Sequence, residues 1–187
     1  MSGLPHALTL PNLITIARFI LVPVIVITMI EGEMGLAFLL FIAAGVSDAI
    51  DGFIARQFGQ ASELGAYLDP VADKLLLVSV FVMLAILGAI PGWLVILIVS
   101  RDVLIVGAVV LSHLLGKPVT VRPLMVSKAT TFAQIVLAIA VLGGLAGFGW
   151  LAGHAFWLVP AVAVLTGASA AAYLVTWLRH MATGADA

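Results

Sequence analysis

The segment SDAIDGFIARQFGQASELGAYLDPVADK, residues 47–74, joins the end of one long apolar run to the start of the next, yet it holds four aspartates: Asp48, Asp51, Asp69 and Asp73. Charge is scarce in the rest of the chain. Of 187 residues, 64% are hydrophobic and 9% are charged, where a soluble domain carries about 25% charged residues. Mean hydropathy is +1.28. These values point to an integral membrane protein. A formal net charge of −1 and the lack of a basic tail argue against a nucleic-acid partner. There is no cysteine, so neither disulfides nor thiolate metal sites are available.

Working outward from that segment, the chain reads as six apolar runs near the length of a membrane-spanning helix, about 20 residues. They cover approximately Leu13–Ile30, Leu36–Arg56, Pro70–Leu87, Trp93–Leu115, Leu124–Leu145 and Ala155–Leu178. Turn chemistry separates them: EGEMG, FGQASELG, GAIPG, GKPVTVRP and GFGWLAGH. No internal repeat and no separate soluble segment interrupts the pattern. The expected fold is all-α, a polytopic membrane protein with six transmembrane helices forming one domain over residues 1–187. The first run has no basic segment before it and is long enough to span, so it is not expected to be a cleaved leader.

Lys and Arg favour cytoplasmic loops. Arg56 begins the second connection, Lys117 and Arg122 lie in the fourth, and Arg179 lies near the C-terminal end. The first, third and fifth connections carry none. Both termini and the aspartate-rich connection are therefore expected on the cytoplasmic side of the cell (inner) membrane. Glu31 and Glu33 would face the other side, near outer ends marked by Trp93, Trp150 and Trp157.

Asp48 and Asp51 are three residues apart and Asp69 and Asp73 four apart, so each pair shares a helical face. Asp69-Pro70 reads as a helix start, with Asp as N-cap and Pro at the first position. Two spans joined by a short connection are expected to be antiparallel neighbours, with small Gly52 and Ala55 allowing close approach. Their adjoining ends would then gather all four carboxylates. One ionised Asp at mid-bilayer costs about 2.5–3.5 kcal/mol, and less near the interface. Four converging anions also repel one another, and a divalent cation relieves both costs. A site with oxygen ligands alone suits Mg²⁺, Mn²⁺ or Ca²⁺. The bland alternative is a solvated or salt-bridged cluster. A hard cation at the membrane boundary could hold a pyrophosphate and polarise it. Arg56 could offer a forked donor to phosphate, and one carboxylate could act as base on an attacking hydroxyl.

The spacing Asp48-x2-Asp51-Gly52-x2-Ala55-Arg56-x8-Gly65-x3-Asp69-x3-Asp73 resembles the complete signature of the CDP-alcohol phosphotransferase family. The opening LPNLITIARFILVP and the six-run pattern extend the resemblance over nearly the whole chain. That resemblance implies a six-helix membrane enzyme, usually a homodimer, with a cytoplasmic site. It implies transfer of a phosphatidyl group from a CDP-linked lipid, CDP-diacylglycerol, to an alcohol, with release of CMP. By the same analogy Asp48, Asp51, Asp69 and Asp73 hold one or two Mg²⁺ or Mn²⁺ ions. Asp73 is also the expected catalytic base. Gly52, Ala55 and Gly65 leave room for the nucleotide, and Arg56 binds its phosphates.

Fewer residues speak to the acceptor. Asn12, Thr15 and Arg18 form a pattern similar to the family's opening helix. Arg18 lies inside its span, and it either faces the protein and site or snorkels to the interface. Neighbouring Arg101 and Asp102 are not expected to face the same way on a helix. Arg101 binds acceptor phosphate or pairs with a nearby carboxylate, and Asp102 has no assigned role. Arg122, Ser127 and Lys128 could contact acceptor phosphate or belong to the positive-inside pattern. Gln134 lines a cavity or bonds between helices. Lys74 tunes or offsets Asp73. The stretch SRDVLIVGAVV resembles the eukaryotic-type cardiolipin synthases of the family. The phosphatidylglycerophosphate synthases tend to have a second Arg where Val109 stands. Phosphatidylglycerol is therefore the expected acceptor, with glycerol 3-phosphate as the alternative. A small cation transporter is a remote rival, since such sites commonly lie between repeats near the midplane.

Overall fold

A computed structural model describes residues 10–58, 63–115 and 125–183, with side chains for 15–50, 68–115, 125–151 and 153–182. Among the described residues every regular element is helical. The helices are α1 (Leu10–Ile30), α2 (Met34–Phe58), α3 (Glu63–Ile86), α4 (Gly92–Leu114), α5 (Met125–Leu145), the single turn α6 (Gly149–Ala152) and α7 (Ala155–Thr183). Among the described residues three are long and apolar enough to cross a membrane: α4, α5 and α7. Two shorter apolar stretches, Thr15–Ile30 and Met34–Ile50, lie in α1 and α2.

The turns at one end of the bundle share a device. Gly32, Gly88 and Gly147 adopt positive φ after α1, α3 and α5. In each case the next residue donates its N–H five residues back: Glu33 to Thr28, Ala89 to Leu84, Phe148 to Gly143. This is the Schellman closure, which satisfies carbonyls that a helix end leaves open. Such economy matters where water is scarce, because an unpaired backbone group there costs several kcal/mol.

α3 differs from expectation at its start. It begins at Glu63, so Asp69 and Pro70 lie inside the helix rather than at its N-terminus. Pro removes one N–H but not the carbonyl periodicity, and membrane helices tolerate that loss when neighbours satisfy the freed group. Pro23 and Pro160 likewise sit inside α1 and α7.

The packing order also differs from a simple hairpin of α2 on α3. α1 packs against both α2 and α3, and α5 packs against α2, α3, α6 and α7. α4 packs between α3 and α7. Among the described residues, the broad contacts of α2 and α3 run through α1 and α5 rather than directly between them. The fully buried side chains Ile25, Met29, Phe81, Leu84, Leu94 and Leu142 lie in the half nearer the glycine turns. The outer surface is apolar: Val164 is 71% exposed, Phe132 69% and Ile96 68%. Such a surface fits lipid rather than water.

Phe81 is fully buried and Ile96 faces outward. Phe81→Ala should destabilise by about 3–5 kcal/mol through the cavity it leaves, whereas Ile96→Ala should change stability by less than about 1 kcal/mol. Thermal unfolding of the detergent-solubilised variants checks the contrast.

Candidate active site

At the end of the bundle opposite the glycine turns, α1 meets the aspartates. Thr15 and Arg18 are three residues apart on one face of α1 and almost wholly buried. The Thr15 hydroxyl donates to Oδ1 of Asp69. Arg18 Nη1 donates to Oδ1 of Asp73 at 2.6 Å, and Nη2 reaches Oδ1 of Asp48 at 2.8 Å. One guanidinium therefore ties a carboxylate of α2 to a carboxylate of α3. Arg18 is 3% exposed, so it faces the protein and does not snorkel.

Three of the four expected carboxylates are thus brought to one place, and a helix without a signature residue holds them there. The side chains of Asp51, Gly52, Ala55, Arg56, Gly65 and Asn12 lie outside those described, and Arg122 lies outside the described residues altogether. Among the described residues, no three acidic or imidazole side chains are spaced to close around one ion. The donor chemistry still fits a hard divalent cation, because the set is oxygen-only and the contacts of Arg18 and Thr15 engage Oδ1 of each carboxylate.

Asp48 and Asp73 also border a cavity of about 340 Å³ between α2, α3 and α5. Its other walls are mainly apolar, including Phe41, Leu76, Ile135 and Ile139. Such a space suits a molecule with a charged head and a hydrocarbon body. A second cavity, about 560 Å³, lies at the far end beside Trp93, Phe156 and Trp157 and has no titratable lining residue.

The family model described as CDP-alcohol phosphatidyltransferase matches residues 8–181. The chain belongs to that family. A cardiolipin synthase (CMP-forming) of Homo sapiens is 37% identical over 150 residues, 72% of this chain and 50% of the relative. A putative cardiolipin synthase of Mycobacterium tuberculosis is 38% identical over 137 residues, 70% of this chain and 63% of the relative. A probable phosphatidylglycerophosphate synthase of the same organism is 32% identical over 142 residues, 73% of this chain and 66% of the relative. The chain spans between half and about two-thirds of the length of these relatives.

Beside the aspartates, the chain carries a second charged network. Arg101 on α4 is 3% exposed, and its Nη1 lies 2.7 Å from Oδ1 of Asp102. The expectation that these neighbours diverge is therefore incorrect. Adjacent residues differ by about 100° on a helix, and a long Arg side chain curls back across that angle. Arg101 also donates to Ser127 on α5 at 2.5 Å and to Ser169 on α7 at 2.9 Å. Its guanidinium lies 5.8 Å from the Tyr173 ring. Of the two readings of Arg101, the structure shows the ion pair. Lys74 turns from Asp73 to Asp102 at 2.5 Å, so Asp102 joins α3 to α4.

Ser127 is engaged by Arg101, and Lys128 is exposed on α5. Gln134 is buried, but it is not among the cavity's lining residues and its Nε2 has no partner among the described residues. Ser169 and Tyr173 were invisible in an apolar run; their i, i+4 spacing was the one available signal.

Replacing Arg101 leaves Asp102 with Lys74 alone and strips Ser127 and Ser169 of their donor. Arg101→Gln should cost about 1–3 kcal/mol, and Arg101→Gln with Asp102→Asn should cost less than the two single variants summed. A double-mutant cycle read by thermal unfolding checks this.

Proposed function

We propose that this family member transfers a phosphatidyl group from CDP-diacylglycerol to the hydroxyl of phosphatidylglycerol, forming cardiolipin and releasing CMP. The observation that carries this reading is the convergence of Asp48, Asp69 and Asp73 beside an apolar cavity. A charged nucleotide head and two hydrocarbon chains need those two environments side by side. The cardiolipin synthases among its relatives support the acceptor, as does Val109 where a second Arg would favour glycerol 3-phosphate.

In this reading the chain spans the bilayer six times, with both termini and the site on the cytoplasmic side of the cell membrane. It works as a homodimer. The four carboxylates, including Asp51, hold one or two Mg²⁺ or Mn²⁺ ions. The bound metal would supply charge to polarise the pyrophosphate and to favour departure of CMP. Gly52, Ala55 and Gly65 give the nucleotide room, and Arg56 pairs with its phosphates. Asn12, Arg122 and Lys128 are candidate contacts for the acceptor headgroup.

Asp73 takes the proton of the acceptor hydroxyl. The freed oxygen attacks the phosphorus that bears diacylglycerol. A new P–O bond forms there while the bond to the CMP oxygen breaks, and CMP carries away the electron pair. The apolar wall keeps water from competing as nucleophile.

A second reading, phosphatidylglycerophosphate synthesis from glycerol 3-phosphate, is favoured by the relative of that name. CMP release by purified protein with CDP-diacylglycerol and Mn²⁺ separates the two. Phosphatidylglycerol should support turnover; turnover with glycerol 3-phosphate alone would establish the second reading instead. Asp73→Asn should lower turnover by about 10²–10⁴-fold while CDP-diacylglycerol still binds, and wild-type turnover would remove Asp73 from the base role.

A further inference from the structure

Arg18 occupies an odd place for a substrate-binding arginine. Both of its terminal nitrogens are committed, each to a different carboxylate. Its Nε is buried and has no partner among the described residues. The guanidinium sits on the protein side of the cluster at 3% exposure, while Asp48 and Asp73 are 42% and 46% exposed. A cation arriving from the open side would meet the same two carboxylates from the other face.

We propose that Arg18 is a built-in counter-cation: it holds Asp48 and Asp73 together when no metal is bound, and it opposes divalent metal binding at that pair. The inference rests on the metal-dependent reading above. Electrostatics set the direction. Without metal, Arg18 offsets repulsion between carboxylates drawn from two helices. With metal, the carboxylates are already neutralised, so the guanidinium contributes less and its positive charge repels the ion. Removing Arg18 therefore raises the energy of the metal-free protein more than that of the metal-bound protein. Metal affinity should rise as metal-free stability falls. A purely structural arginine would instead lower stability equally in both states and leave affinity unchanged. Thr15 holds Asp69 by a neutral hydrogen bond, so this contact brings no opposing charge.

The test compares full-length wild type, Arg18→Gln and Arg18→Lys in detergent. Mn²⁺ binding is measured by calorimetry, and thermal unfolding in EDTA and in saturating Mn²⁺. Arg18→Gln should bind Mn²⁺ about tenfold more tightly. It should melt about 5 °C below wild type in EDTA and regain most of that loss in Mn²⁺. Arg18→Lys retains the charge but cannot fork between two carboxylates, and its affinity should stay within about threefold of wild type. Unchanged or weaker binding by Arg18→Gln overturns the proposal. So does an equal loss of stability with and without Mn²⁺, or unfolding that Mn²⁺ does not reverse. A wild type that takes up no Mn²⁺ would sink the metal reading and this inference together, whereas a wild type that binds while Arg18→Gln shows no gain would sink the inference alone.

Discussion

Carboxylates drawn together in a mostly apolar bundle must be compensated, and here a single buried guanidinium does much of that work. Arg18 spans from Asp48 on α2 to Asp73 on α3, and Thr15 on the same face of α1 holds Asp69. The geometry of the site therefore depends on a helix that supplies none of its signature acids. α1 lies against both α2 and α3, so its rotation and depth set how far apart the carboxylates stand. A shift of that helix would be felt as a change in spacing among the acids, and hence in what they can bind.

The same solution recurs at Arg101. There too a guanidinium with 3% exposure draws polar groups from several helices: Asp102 beside it, Ser127 on α5 and Ser169 on α7. Lys74 reaches Asp102 from α3. Lys74 follows Asp73 directly in sequence, yet the two point to different networks. That divergence turns the lysine charge toward Asp102 and away from Asp73. It also fixes the rotation of α3, since the turn bearing Asp73 is anchored on one side to α1 and on the other to α4. The bundle is thus divided along its length. One half is closed by hydrocarbon packing around Phe81, Leu84 and Leu94 and by glycine-capped turns. The other half is joined by charge, and it is this half that opens onto the cavity beside Asp48 and Asp73.

Much of this was legible before any coordinates. The apolar runs became helices, and the turn residues Gly32, Gly88 and Gly147 became the turns. The i, i+4 spacing of Asp69 and Asp73 matches their shared approach to α1, and of the two readings of Arg18 the buried one holds. Local rules failed where tertiary contacts outweighed them. Asp69-Pro70 has the chemistry of a helix start, but α3 begins six residues earlier, at Glu63. Arg101 and Asp102 seemed bound to diverge, but the length and flexibility of arginine overcame the helical angle. The short connection between α2 and α3 implied direct packing, whereas among the described residues the broad contacts of both helices are with α1 and α5.

By itself the sequence determined the all-helical class, because long apolar runs and turn residues are properties of one stretch of chain, and the resemblance of its aspartate motif to a known signature pointed to the family. Only the tertiary structure decided which cation faces which carboxylate. Arg18 lies 30 residues before Asp48 and 55 before Asp73, and Arg101 meets Ser169 across 68 residues. No periodicity within a helix encodes such pairings. They follow from the order in which whole helices pack, which sets Arg18 against carboxylates of α2 and α3 and Arg101 against hydroxyls of α5 and α7.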